Sequence, residues 1–419
     1  MSWMTKKDII IFDHNFNEEL DIELLSGYKI IIFNNYEQNE KIFECFINND
    51  FIGATYERSK FNQDVSSLPL GITRIIFGYT FNQNVSNLPH TLTHLEFGDK
   101  FNQDVSALPS FLTHLTFGHW FSQDVSNLPL FLTHLTFGSE FNKDVSNLPL
   151  FLTHLTFGGK FNKDISKLPQ KITNLTFGLS FNQDVSVLPL TLTNLTFGTK
   201  FNQDVSVLPP TLTNLTFGTH FNQDVSNLPH TLTNLTFGLN FNQEVSKLAL
   251  VRGITHLTFG CCFNQDVSKL PREITHLTFG SCFNQDISML SQSITHLTLG
   301  YWFEQKYNIP SNIKYLKLDC NNSYIIESLP NSIIELKLDY KFNLQIDNLP
   351  TSIKKIVIDK FSEYDMDLNC LPDYIEELQL NYKYTKRILR IPSNLKKITF
   401  SENYPYKDDF SMCDVEIYK

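Results

Sequence analysis

Apolar positions recur along this chain at fixed offsets. Between residues 108 and 128 the recurring set falls at Leu108, Leu112, Leu115, Phe117, Phe121, Val125 and Leu128, with mostly polar residues between. The segment Leu112–Gly118 alternates at its centre: Leu115 and Phe117 point one way, His114 and Thr116 the other, which predicts a short strand with one buried and one open face. Gly118 ends the strand where a bulky side chain would obstruct the bend. Phe121, Val125 and Leu128 then carry the apolar set around a turn, and Pro129 suits an extended return segment that donates no ladder hydrogen bond. The residues that remain leave no room for a useful helix.

The same block repeats. Its opening phenylalanine stands every twenty residues from Phe61 to Phe241, then at Phe263 and Phe283. A fixed period of this length predicts a solenoid, in which each coil buries its apolar side only against its neighbours. Stacked in register, equal positions become columns roughly 4.8 Å apart. Two phenylalanine columns, through Phe117 and through Phe121, are expected to form the spine. The asparagines from Asn62 to Asn284, broken at Ser122, are expected to form an inner ladder serving backbone groups.

The motif Phe181-Asn182, then Leu188-Pro189, then Leu192-Thr-Asn-Leu-Thr-Phe-Gly198 resembles the FNIP repeat, a divergent relative of leucine-rich repeats. The pattern runs from Phe61 to Gly300. It departs from the family mainly in the Asp that follows Phe-Asn-Gln. The resemblance implies a leucine-rich-repeat-like curved parallel β-sheet, with a mostly extended or 3₁₀ convex side and little helix. It also implies a source among amoebae or the giant DNA viruses that infect them. FNIP repeats sometimes follow an F-box, which would make a substrate adaptor for ubiquitin ligation, but no Leu-Pro-x-Glu-Ile helix opening precedes Phe61.

Worn copies flank the regular ones. Ile9–Phe12 and Ile30–Phe33 read as strands, and Tyr36–Asn49 as a short capping helix. Strands follow Pro310, Pro330, Pro350, Pro372 and Pro392. The expected organisation is one continuous solenoid: degenerate N-terminal repeats and cap over 1–60, regular repeats over 61–302, degenerate repeats over 303–401, and a polar cap over 402–419. An insertion at Ala249–Gly253 is expected to bulge from the back or edge.

Composition narrows the function. A net charge of −10 with no basic strip argues against a nucleic-acid partner. The N-terminus lacks an apolar signal core, no stretch is long enough to span a bilayer, and the cysteines show no even framework. Sequons at Asn174, Asn194, Asn214 and Asn234 would stack four glycans on packed strands. The expected location is therefore the cytoplasm, that of a host cell if the protein is viral, with no membrane partner.

Candidate chemistry is sparse. His94, His114, His134 and His154, then His256, His276 and His296, form an outward column in which Asn replaces His at 174–234. That interchange reads as a duplicated hydrogen-bonding position rather than a metal stripe. The Asp column through Asp64 and Asp104 offers one carboxylate per coil, a thin calcium site, and suits acceptance of turn amides. The outward Thr116 column lacks the flat sheet of an ice-binding face. Cys262 and Cys282 occupy equal positions and would lie near each other as reduced thiols. No catalytic constellation, cofactor site or metal site is present, so an enzyme is not expected.

Departures from the repeat on the open face are the better guide to a partner. Arg74, Ile76 and Glu96 depart at one end, and Tyr315, Lys317, Glu335, Lys337 and Lys355 at the other. The expected function is a non-catalytic protein-binding scaffold that uses its concave sheet face, with an unknown protein as partner. The alternative is a structural or self-assembling rod.

Overall fold

Backbone hydrogen bonds to its neighbours hold each coil, and short turn bonds such as Leu112 N–H to the Pro109 carbonyl close it on itself. The computed structural model describes residues 3–36, 46 and 56–418. In a typical coil the strand His114–Thr116 pairs in parallel register with His134–Thr136, matching His114 with His134 and Leu115 with Leu135. Pairing continues past the strand, since the Thr133 N–H donates to the Thr113 carbonyl and the Phe117 N–H to that of Thr136, both at 2.9 Å. Only three residues per coil are regular strand, because the motif alternates for no longer before glycine ends it.

The expected inward set is buried throughout. Phe121, Val125, Leu128, Leu132, Leu135 and Phe137 all lie in the core. Within a coil the Phe117 and Phe121 rings stack at 3.6 Å, and each stacks on its equivalent in the next coil. Burying one such side chain contributes on the order of 2–3 kcal/mol.

Ring spacings also measure curvature, because equivalent rings are related by the coil-to-coil displacement. They lie 4.1 Å apart for His114 and His134 on the open face, 5.8 Å for Phe117 and Phe137 inside, and 6.1 Å for Phe121 and Phe141 deeper still. The coils therefore fan away from the strands and the open face is locally concave. In the other half of the chain His256–His276, Phe259–Phe279 and Phe263–Phe283 repeat the gradient at 4.2, 5.7 and 6.1 Å.

Contacts divide the chain into two units, residues 1–203 with 208–212, and 204–207 with 213–419. The first begins with Trp3–Lys6 (β1), antiparallel to Ile9–Phe12 (β2), which pairs in parallel with Ile30–Phe33 (β3) and on to Arg74–Ile76 (β4). Trp3 meets the first spine rings, Phe12 and Phe16, edge-on. The helix expected over 36–49 lies, apart from Tyr36 and Phe46, outside the described residues. In the second unit a 3₁₀ turn, Ser246–Leu250, absorbs the insertion, and Val251 is drawn into the core. A one-turn helix, Ser323–Glu327, was not expected. Within the segment expected as a polar cap, Asp414–Tyr418 forms a last strand paired in parallel with Lys397–Ser401. Val415 and Ile417 stay exposed, so its alternation did not stand out as a core pattern.

The glycine column has a sharper reason than a bend. A Cβ built on Gly138 would sit 1.8 Å from the Gly118 carbonyl oxygen, and one on Gly158 would sit 2.1 Å from that of Gly138. No φ in this column is positive, so the demand is for space between coils and not for a left-handed backbone. Asn side chains add the expected ladder: the Asn82 N–H donates to Asn62 Oδ1 at 2.8 Å, and the Asn102 N–H to Asn82 Oδ1. Gln103 Nε2 adds a second rung by donating to the Asn82 carbonyl.

Neighbouring glycines offer a controlled test. Gly158→Ala should cost about 2–3 kcal/mol through overpacking against a backbone that cannot move alone. Gly159→Ala, whose Cβ would meet nothing nearer than 3.6 Å, should leave the denaturation midpoint unchanged or raise it.

Candidate protein-recognition surface

The open face is built by the outward strand positions. His94, His114, His134 and His154 stack at 4.1–4.2 Å. Each ring Nδ1 lies 2.9 Å from the hydroxyl of the preceding threonine, as in Thr133–His134. That hydroxyl in turn donates to the carbonyl of the previous coil, Thr133 to Thr113 at 3.1 Å. The imidazoles are thus half-buried parts of a polar ladder. Partial burial, reinforced by His114 and His154, pushes His134 down to about 4. Burial likewise holds His94, His114, His276 and His296 below the usual histidine range.

The aspartates serve their own turns. Asp104 accepts from the Ser106 N–H at 3.0 Å and from its hydroxyl at 2.7 Å, and the pattern repeats at Asp64, Asp124, Asp144 and Asp164. The serine bonds hold these carboxyls below the usual carboxylate range. No cluster of three or more His, Cys, Asp or Glu suited to a metal occurs among the described residues. Cys282 Sγ lies 3.8 Å from Cys261 Sγ, and the expected Cys262 thiol also neighbours it. The coils stack with the Cys282 N–H bonded to the Cys261 carbonyl, which sets the diagonal Cys261 contact.

At the N-terminal end, Arg74, Ile76 and Glu96 converge on one cavity of about 410 Å³, with Tyr36, Phe46, Tyr56 and Asp99. The three departures are not equally available. Ile76 is buried together with Ile11 and Ile32, and Met4, Tyr36 and Phe46 pack against them. The outward isoleucines of the first strands are therefore covered, and Ile76 is withdrawn from any exposed role. Glu96 stays open to solvent but is ringed by protein in the cavity. Desolvation raises its pKa, and the Arg74 charge opposes that rise.

At the other end the histidine column runs into Tyr315, which stacks on His296 at 4.1 Å and is 38% exposed. The next strands, Tyr315–Leu318 and Glu335–Leu338, pair in register, as does Lys355–Ile358 beyond them. Lys317 pairs with Asp339 at 2.5 Å and Lys337 with Asp359 at 3.2 Å. Lys355 lies 3.5 Å from both Glu335 and Glu377. Tyr315, Lys317, Glu335 and Lys337 line one shallow depression with His296 and Thr298. Exposed pairs of this kind contribute about 0–1 kcal/mol each, so the charge ladder is not what holds these coils together.

One exposed feature escaped the repeat pattern. Phe111, Phe131 and Phe151 are 47–57% exposed, although most other phenylalanines of the coils are core. The signal was available: all three directly precede the inward leucine, where neighbouring coils carry Thr91 or Thr191.

The FNIP Repeat family model matches overlapping segments that together cover residues 61–120, 144–361 and 366–406, more than half of the chain. Among solved structures, CroV588, described as a novel circular LRR protein, is 34% identical with a TM-score of 0.72. That match covers 100% of this chain and 70% of CroV588. YopM from Yersinia enterocolitica WA-314 is 17% identical with a TM-score of 0.45, over 85% of this chain and 84% of its own. The functional domain of InlJ from Listeria monocytogenes is 17% identical with a TM-score of 0.38, over 82% of this chain and 72% of its own. No curated protein matches the sequence closely enough to count as a relative.

The histidine stack predicts a pH dependence of stability. His94, His114, His134, His276 and His296 bind protons more readily in the unfolded chain, near the ordinary value of 6.5, than in the folded one. Their stabilising contribution is therefore complete above pH 6.5, falls as pH drops, and stops falling below about 4, the value for His134. The melting temperature should drop between pH 7 and 5, and less so in the variant His114→Asn/His134→Asn, since Asn occupies this column naturally at 174–234.

Proposed function

The chain belongs to the FNIP repeat family, and on that footing we propose that it is a non-catalytic scaffold that binds another protein on the open face of its sheet. It is a solenoid of leucine-rich-repeat type, an architecture that commonly mediates protein interactions through extended concave surfaces. The observation that carries the reading is the change of character at Tyr315. There a face tiled with His, Asn and Thr gives way to a half-exposed aromatic ring, continued by Lys317, Glu335, Lys337 and Lys355.

A rigid aromatic with two rotatable bonds loses little entropy on being covered and suits the centre of an interface. The surrounding ion pairs run coil to coil, so a partner would read a fixed alternation of charge. That favours selectivity and association rate over raw affinity. Arg74 and Glu96 form a second charged feature on the same kind of face, whereas buried Ile76 takes no part. The carboxylates of the repeated turns are occupied by serine, and the imidazoles by threonine, which supports a binding role over a catalytic one. No helix among the described residues is long and apolar enough to cross a membrane.

Affinity purification of the tagged protein from amoebal cells, with quantitative mass spectrometry, tests the reading. A stoichiometric protein partner should co-purify with the native chain and fall at least about tenfold with Tyr315→Ala/Lys317→Ala, a loss of roughly 1.4 kcal/mol. Recovery of this chain alone, unchanged in the double variant, would contradict it.

A further inference from the structure

The exposed phenylalanines lie on the flank of the coil where the chain enters the strand, away from the outward strand positions. In other coils that position carries a hydroxyl that ties the coils together. Thr91 Oγ1 donates to the Ile72 carbonyl at 2.7 Å, Thr191 Oγ1 to those of Ile172 and Gln170, and Thr211 Oγ1 to that of Leu192. Phe111, Phe131 and Phe151 give up that bond in three successive coils and present a ring to solvent instead. The exchange removes an inter-coil hydrogen bond and leaves about half of each ring open to solvent.

The rings form a regular ladder. Phe111 and Phe131 lie 6.3 Å apart and near parallel, as do Phe131 and Phe151, and with Thr113, Thr133 and Thr153 they line an open groove of about 580 Å³. Leu130 and Leu150, 71% and 73% exposed, flank it. At its end the Lys171 ammonium lies 4.3 Å over the Phe151 ring and forms no ion pair with any described residue.

From these observations we infer that the Phe111–Phe131–Phe151 ladder is a docking groove for an extended peptide segment of a partner protein, with apolar side chains at alternate positions and a carboxylate opposite Lys171. The repeat of the ladder fits this occupant. Side chains on one face of an extended strand recur every 6.6–6.8 Å or so, close to the 6.3 Å between rings, whereas one helical turn spaces them at about 5.4 Å. Area argues the same way. The exposed rings and leucines offer on the order of 500 Å² of apolar surface, enough to mark an interaction site but short of the roughly 800 Å² per partner of a stable dimer. Lys171 supplies the charge complementarity and the direction. The groove belongs to the first unit and Tyr315 to the second, and either proposal could fail without the other.

The test selects random twelve-residue peptides by phage display on the intact protein and measures the enriched ones, synthesised with a fluorophore, by anisotropy. The comparison protein is Phe111→Thr/Phe131→Thr/Phe151→Thr, which installs the residue that neighbouring coils already use. Its melting temperature should equal or exceed that of the native chain, which separates loss of the groove from loss of the fold. The selected peptides should carry apolar residues at i, i+2 and i+4 with an acidic residue to one side. They should bind the triple variant at least about tenfold more weakly, lose several-fold with Lys171→Glu, and bind Tyr315→Ala/Lys317→Ala unchanged. Peptides with apolar residues at helical spacing, or none that distinguishes the native chain from the triple variant, would overturn the inference. So would concentration-dependent dimerisation abolished by the triple variant, since the occupant would then be a second copy of the chain.

Discussion

The distance between consecutive coils is the quantity on which the other features depend, and the backbone sets it at the glycine column. There one coil passes so near the carbonyl of the last that no Cβ fits between them. With that contact closed, the strand threonines reach the carbonyls they donate to, the asparagine amides reach the next turn, and the spine rings stack continuously. The contact also has a geometric consequence. Spacing is tight at the strands and wider through the core, so each added coil tilts and the open face curves inward. The column of half-buried imidazoles, reluctant to carry charge, is a by-product of that tight spacing.

A coil built this way has almost no freedom at most of its positions. Inward residues are fixed by packing, glycine by contact, and Asn, Asp, Ser and Thr by hydrogen bonds that recur coil after coil. The proposed recognition therefore falls on positions released from those duties. Tyr315 and the charge alternation beyond it occupy strand positions where only a solvated face is required. Phe111, Phe131 and Phe151 occupy a position where a hydroxyl would have served the stack better. Two surfaces of different chemistry thus arise on one scaffold without disturbing its core.

Periodicity made most of the fold legible. Strand positions, the buried phenylalanine columns, the asparagine ladder and the Asp–Ser turns all follow from reading one coil and multiplying it. What periodicity cannot show is where an unrepeated segment lies, and so Ile76 looked exposed when Tyr36 and Phe46 cover it. Nor does equality of position show that Cys282 meets Cys261 as well as the expected Cys262. The phenylalanine ladder was hidden by its own residue type, since a phenylalanine among so many buried ones reads as core until its offset is compared with the threonines of other coils.

The central claim is that recognition resides where the chain departs from its own repeat. Hydroxyl-radical footprinting of the protein inside amoebal cells, compared with the purified protein, measures this at the level of single side chains. The account predicts that oxidation in the cell falls at Tyr315 and at Phe111, Phe131 and Phe151, while exposed Trp120 and Met412 react equally in both. Uniform labelling in the two settings, or protection confined to the repeated histidine and asparagine column, would contradict it.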